Sequence, residues 1–129
     1  MTKIVRSDGC GNSPKNLLVQ SLAIAIEKCD RTVLSRCVAD DLSWALPGRK
    51  TLEGRAAALA HLRTYRPTPP LRISVRRAFS HGRGGAADGS VVLSSGMTLG
   101  FCHVVEFSSV KGDKISSVCT YYSELGDNT

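Results

Sequence analysis

Two segments between residues 100 and 124 have the alternating pattern of paired β-strands. In the first, apolar and aromatic positions recur with a period of two, which is typical of a strand with one buried face. The set on that face is Phe101, His103, Val105 and Phe107, and the opposite set is Cys102, Val104 and Glu106. A polar turn at residues 111–114 leads into a β-branched and aromatic segment at 115–122. The pattern predicts an antiparallel hairpin with His103 on its apolar face.

Helices are predicted upstream of these strands. Ser13 and Pro14 suit a helix start, because serine caps free backbone N–H groups and proline tolerates the first position. The first helix is predicted over residues 14–28, with an apolar stripe of Leu17, Leu18, Leu22, Ala25 and Ile26. Asp30 can cap a short second helix over residues 32–38. A third, alanine-rich helix is predicted over residues 54–66, with His61 on its outer side and prolines after its end.

The remaining segments complete an α+β pattern. Leu42, Trp44 and Leu46 alternate in a short strand that Pro47 and Gly48 end, and residues 49–53 are predicted to be a loop. Strands are predicted over residues 71–79 and 85–93, the second rich in glycine and alanine. Helices followed by a run of strands predict helices packed on one face of a sheet. We expect a flexible arm at residues 1–12, one domain at 13–125 and a tail at 126–129.

Charge and cysteine usage exclude several classes of function. The net charge is +6, but the basic residues are scattered, so a nucleic-acid partner is not favoured. The five cysteines have no C-x-x-C spacing, which argues against a zinc site or a disulfide framework and favours reduced, mostly buried thiols. No phosphate-binding loop or metal-ligand cluster appears, and no cofactor is predicted. Without an apolar leader or a membrane-spanning run, the predicted location is cytoplasmic.

Several residues are candidates for chemistry in a pocket. An imidazole on an apolar face, as at His103, can act as an acid or base, or it can be a structural residue whose ring bonds to a nearby tyrosine or water. Asp41 could reach the pocket mouth, although aspartate is also common in loops and at helix ends. Trp44 can serve as a core anchor or as a pocket wall. Tyr121 and Tyr122 point to opposite faces, so one of them can reach the pocket.

The order of these motifs resembles the nuclear transport factor 2-like superfamily, which includes ketosteroid isomerase, limonene epoxide hydrolase and SnoaL-type polyketide cyclases. The resemblance covers about residues 15–124 and rests on residues 40–48, 53–55 and 101–107, and on residues 114–115 with 121–122. It implies a cystatin-like α+β roll, in which a cone-shaped, curved antiparallel or mixed sheet packs on three N-terminal helices. It also implies an apolar pocket inside the cone and, in many members, a homodimer through the exposed sheet face.

The catalytic positions of these relatives are only partly matched. The strand segment 44–48 has no acid where the isomerase has its general base, and the first helix has no tyrosine. The oxyanion-side acid of the isomerase falls on His103, and Thr120 takes the place of the acid before the paired aromatics in the hydrolase and cyclases. The resemblance therefore implies the fold more directly than either mechanism.

Three functions follow from these observations. The first is binding of an unidentified small hydrophobic molecule, since an apolar strand face with one polar anchor is the usual composition of a ligand site. The predicted lining is Trp44, Phe101, His103, Val105 and either Tyr121 or Tyr122. The second is an isomerase, cyclase or hydrolase in which His103 acts as acid or base, together with Asp41. The third is a dimeric interaction module that uses the outer sheet face.

Overall fold

The computed structural model describes residues 1–6 and 13–127, and the predicted first helix has the expected bounds. In α1 (Pro14–Lys28), the Ser13 side chain accepts a hydrogen bond from the Asn16 N–H, and Pro14 occupies the first turn. Asp30 caps α2 (Arg31–Cys37) in the same way, by accepting from the Val33 N–H. The third helix, α3 (Arg55–Tyr65), ends just before the prolines. No helix in these ranges has the length and apolar character needed to cross a membrane.

In the described ranges, seven strands form one curved, mixed sheet. They are β1 (Lys3–Arg6), β2 (Val38–Leu46), β3 (Lys50–Glu53), β4 (Arg72–His81), β5 (Gly84–Val92), β6 (Met97–Phe107) and β7 (Ile115–Asp127). Their spatial order is β1-β4-β5-β6-β7-β2-β3, with parallel pairs at β1–β4 and β2–β7. The helices pack on the concave face, α1 against β4 and β5 and α3 against β2. The predicted α+β fold is therefore confirmed.

Four local predictions were wrong. Lys3–Arg6 lies in the stretch predicted to be a loose arm, yet it forms an edge strand parallel to β4; residues 7–12 lie outside the described residues. The predicted loop at residues 49–53 contains β3, which pairs with β2 in a hairpin. Leu17, predicted to be buried in the α1 stripe, is 45% exposed because the buried face of α1 is centred on Val19, Leu22 and Ile26. Residues 126–127 of the predicted tail continue β7.

Local irregularities bend the sheet and set which side chains face inward. A register shift in β4 between Val75 and Arg77 changes the alternation, so that Ala78 is buried and Phe79 is 57% exposed on the outer face. Gly89 on β5 pairs with Val75 beside this shift. The curvature gives the sheet a concave face lined by large side chains and a convex face that the helices do not cover.

Among the described cysteines, all free, Cys37 is buried and Cys29, Cys102 and Cys119 are partly exposed, so fewer are buried than predicted.

Candidate functional site

A fully buried carboxylate, that of Glu27 in the last turn of α1, is the centre of a polar cluster inside the fold. Its Oε2 lies 2.8 Å from His103 Nε2 and accepts a hydrogen bond from the Tyr122 hydroxyl at 2.6 Å. Its Oε1 accepts from Arg66 Nη2 at 2.5 Å. A buried carboxylate without partners would cost several kcal/mol, on the order of the effective penalty for one ion. These three partners compensate that cost.

His103 connects Glu27 to β7 and β2. Its ring has no exposed surface, and Nδ1 lies 2.8 Å from Thr120 Oγ1. Thr120 Oγ1 also accepts a hydrogen bond from Trp44 Nε1 at 2.8 Å. With His103 uncharged, every donor has an acceptor, because Thr120 donates to Nδ1 and Nε2–H donates to Glu27. In the uncharged ring this arrangement is the tautomer protonated on Nε2, and in the charged ring Nε2–H still donates to Glu27.

Two tyrosines form the other end of the cluster. The hydroxyls of Tyr65 and Tyr122 are 2.5 Å apart. Because Tyr122 donates to Glu27, Tyr65 donates to Tyr122, which leaves the Tyr65 oxygen able to accept. The Arg66 guanidinium lies over both rings, 5.1 Å from the centroid of Tyr65 and 5.6 Å from that of Tyr122. Tyr65 and Arg66 come from the end of α3, so this helix closes the cluster.

Burial and charge shift the titration of these groups. Burial raises the pKa of Glu27, but the His103 hydrogen bond, the electrostatic attraction of His103 and Arg66 and the Tyr122 hydrogen bond outweigh it, so the net pKa is lowered. Burial, followed by the nearby Glu27 charge, raises the pKa of both Tyr65 and Tyr122. Burial opposes the charge of Arg66, yet attraction to Glu27 raises its pKa overall. The cluster therefore contains an ionised carboxylate, a guanidinium and two neutral phenols.

Two adjacent cavities open at the tyrosine end of this cluster, with volumes of about 420 Å³ and 250 Å³. Both are lined by Arg49, Tyr65 and Tyr122. The larger one also contacts His61, Thr64, Arg66, Leu99, Ser123 and Glu124. The smaller one reaches Thr120, the hydrogen-bond partner of His103, and has Leu46, Pro47 and Tyr121 on its wall. We refer to the two together as the α3–β7 cavity.

Comparison with family models places most of the sequence in one family. Residues 19–118 match the model of the SnoaL-like domain. The chain belongs to the SnoaL-like domain family. This membership, with the structural matches below, confirms the nuclear transport factor 2-like superfamily predicted from the sequence. Comparison with curated protein sequences gives no significant match.

Solved structures support the same fold for this SnoaL-like domain. An NTF-2 like protein of unknown function from Burkholderia xenovorans is 20% identical with a TM-score of 0.70, over 88% of this chain and 85% of that one. A putative SnoaL-like polyketide cyclase from Shewanella denitrificans is 12% identical with a TM-score of 0.70, over 86% and 92%. An LEH-like epoxide hydrolase from M. tuberculosis is 16% identical with a TM-score of 0.62, over 83% and 80%. At these identities the similarity is one of fold.

The residues predicted to line a pocket lie deeper than the α3–β7 cavity. Trp44, Phe101, His103 and Val105 face the concave side together, and each is at most 3% exposed, so their side chains fill the interior of this SnoaL-like domain. The strand register answers the question left open for the two tyrosines. Phe101 pairs with Tyr122 and His103 with Thr120, so Tyr122 faces inward and Tyr121 faces outward.

Two other residues were singled out from the sequence. Asp41 lies apart from the cluster, and His61 does not lie where it was expected. Asp41 is exposed on β2, and its side chain makes no hydrogen bond or ion pair with the residues that the structure describes. His61 was expected on the outer side of α3, but it is half-buried. Its ring packs 5.5 Å from Trp44 and 5.3 Å from Tyr65, measured between centroids. Burial, Lys50 and Arg49 lower the pKa of His61.

Glu27, Tyr65 and Arg66 were missed in the sequence analysis. Each lies at the end of a correctly predicted helix, where charged and polar residues are common on the solvent side. One signal was available: Glu27 directly follows an uninterrupted apolar run, Leu22 to Ile26. An acid that follows the buried stripe of a helix is a candidate for a buried ion pair, but the sequence does not identify its partner.

Proposed function

We propose that this SnoaL-like domain binds a small, largely apolar molecule in the α3–β7 cavity. The observation that carries the proposal is the Glu27 cluster, whose outer members Tyr65, Arg66 and Tyr122 line that cavity. An ordinary core does not need this cluster, because well-packed apolar residues can replace a buried ion pair without loss of stability. A few convergent polar groups beside apolar walls are the usual composition of a ligand site. Strongly shifted pKa values are also more common at such sites than elsewhere.

A blocked cavity tests this proposal. Thr64 is exposed on α3 and lines the larger cavity, so Thr64→Trp should fill the opening without disturbing the core. We expect the wild type to enhance the fluorescence of N-phenyl-1-naphthylamine, a neutral apolar probe, and Thr64→Trp to weaken its binding by about tenfold or more. The matched control is Arg63→Trp, on the neighbouring exposed position outside the cavity. Equal binding by all three proteins, or no binding by the wild type, would contradict the proposal.

Proton-transfer catalysis is a second candidate for the same cavity. A continuous line of hydrogen bonds runs from His103 through Glu27 and Tyr122 to Tyr65, which lines the cavity. In this alternative, an isomerase, cyclase or hydrolase would pass a substrate proton through Tyr65 and Tyr122 to the Glu27–His103 pair, which acts as the base, and Asp41 would have no direct part. Deuterium exchange into the α-carbon of a bound ketone, followed by NMR, tests it. Exchange that is unchanged in His103→Gln would reject a role for the imidazole.

The outer face of the sheet supports a proposed homodimer. Phe79, Ala86, Val104 and Cys119 are cross-strand neighbours on β4 to β7. Phe79 is 57% exposed, Val104 43% and the nearby Tyr121 50%, so an apolar patch crosses four strands. A second copy packed on this patch would remove it from water. We expect sedimentation equilibrium to show a dimer that Val104→Lys dissociates; a monomeric wild type at high concentration would contradict this.

A further inference from the structure

We propose that the ligand of the α3–β7 cavity is an organic acid and that Arg49 binds its carboxylate. This inference rests on the proposed function, because it concerns the same cavity. It goes further by naming the chemical class of the ligand and the residue that determines specificity. Three features of the cavity support it: the excess positive charge at the rim, the Arg49 guanidinium without a protein partner, and the apolar walls.

The rim of the cavity carries an excess of positive charge. Arg49 lines both parts of the cavity, and Lys50 follows it at the start of β3. Both lie near enough to His61 to lower its pKa, after the larger effect of burial. Arg66 is neutralised by Glu27, and Glu124 at the same rim supplies one negative charge. Arg49 and Lys50 together therefore exceed Glu124 by one positive charge, and this excess favours an anion over a cation.

The guanidinium of Arg49 lacks a protein acceptor. It makes no hydrogen bond or ion pair within residues 1–6 and 13–127, and the residue is exposed at the cavity rim. Arg66 Nε also has no acceptor in those ranges, but this atom has no exposed surface, so a ligand in the cavity does not reach it. Both oxygens of Glu27 already accept from other groups. A ligand that pairs with Arg49 must bring oxygen acceptors, and a carboxylate matches the planar geometry of a guanidinium.

The rest of the cavity wall suits an apolar body. Leu46, Pro47 and Leu99 contribute aliphatic surface, and the rings of Tyr65 and Tyr122 contribute aromatic surface. A ligand with one carboxylate and an aromatic or aliphatic body would place its charge at Arg49 and its body against these walls. Simple inorganic anions would leave the walls uncovered, so we expect them to bind poorly.

Three compounds with the same body and different charge test the inference. They are 2-naphthoate, methyl 2-naphthoate and 2-naphthylmethylamine, titrated by calorimetry against the wild type, Arg49→Ala and Arg63→Ala. We expect the acid to bind at least about tenfold more tightly than the ester or the amine. Neither of these two compounds can form the charge-assisted hydrogen bond of a carboxylate with Arg49. Arg49→Ala should remove this preference. Arg63→Ala should retain it, because Arg63 is an exposed arginine of α3 outside the cavity.

The outcomes separate this inference from the proposed function. If N-phenyl-1-naphthylamine binds at the cavity but the acid binds no better than the ester or the amine, the inference fails and the proposed function stands. Retention of the acid preference in Arg49→Ala also overturns the inference. If neither the neutral probe nor any naphthyl compound binds, the proposed function itself fails. Raised salt should weaken binding of the acid and leave binding of the ester unchanged.

Discussion

Replacement of Glu27 by alanine is expected to lower the free energy of unfolding by about 3–5 kcal/mol. The carboxylate is fully buried and bonds to His103, Arg66 and Tyr122. Alanine would leave the guanidinium as a buried charge without its counter-charge, and the imidazole N–H and the phenol without an acceptor. Urea unfolding, followed by circular dichroism, measures the loss. Because small domains are stabilised by only about 5–15 kcal/mol, Glu27→Gln provides a milder variant that keeps the side-chain volume.

A surface carboxylate serves as the control for Glu27. Glu53 on β3 accepts one hydrogen bond from Ser43 at an exposed position, and Glu53→Ala should cost less than about 1 kcal/mol. A loss of that small size in Glu27→Ala would contradict the view that Glu27 holds the cluster together.

The stability that Glu27 contributes depends on pH. The pKa of Glu27 in the folded protein lies below its ordinary value of 4.5, because its partners outweigh burial. A depressed pKa contributes stability that is present above the unfolded pKa and is lost as pH falls through the folded one. The difference in free energy of unfolding between the wild type and Glu27→Gln should therefore shrink as the pH is lowered from about 7 towards 3. A difference that grows on acidification would contradict the assignment.

Gly89→Ala is expected to destabilise the protein by about 3 kcal/mol, the upper end of the usual cost of overpacking. A Cβ at this position would overlap the Ser74 carbonyl oxygen and lie 3.0 Å from Phe101 Cζ. The carbonyl belongs to β4 beside its register shift, so the backbone cannot move away without loss of the bend. Chemical denaturation measures the effect.

Gly84→Ala on the same strand is the matched control. A Cβ at Gly84 meets no atom closer than 3.8 Å, so we expect a change within about 0.5 kcal/mol. If the two variants had equal stability, the close approach of β4 and β5 at Gly89 would be contradicted.

The helices were predictable because their signals are local. Ser13, Pro14 and Asp30 act within three residues of themselves, and the structure uses each as a cap or first-turn residue. The alternation in β6 likewise predicted the inward face that His103 shares with Phe101 and Val105. Predictions failed where tertiary pairing decides the conformation, as for β1 and β3, which are strands only because β4 and β2 pair with them.

The candidate site was less predictable because its contacts are distant in sequence. Glu27 bonds to Arg66, His103 and Tyr122, which are 39, 76 and 95 residues away. The sequence indicates that His103 faces inward, but not that Glu27 and Thr120 occupy both its nitrogens. The choice between Tyr121 and Tyr122 depended on the register of β6 and β7, which alternation alone does not determine.

The most direct test of the α3–β7 cavity as the ligand site is an NMR titration of the isotope-labelled protein with 2-naphthoate, in which backbone amide shifts report the contact surface. The outer sheet face has a groove of about 690 Å³, lined in part by Ser90, Cys102 and Tyr121, and is the competing location. We expect the largest shifts at His61, Thr64 and Leu99, which line the α3–β7 cavity and not the outer groove. Shifts confined to Asp88, Ser90 and Cys102, which line the outer groove alone, would place the ligand there and contradict the account.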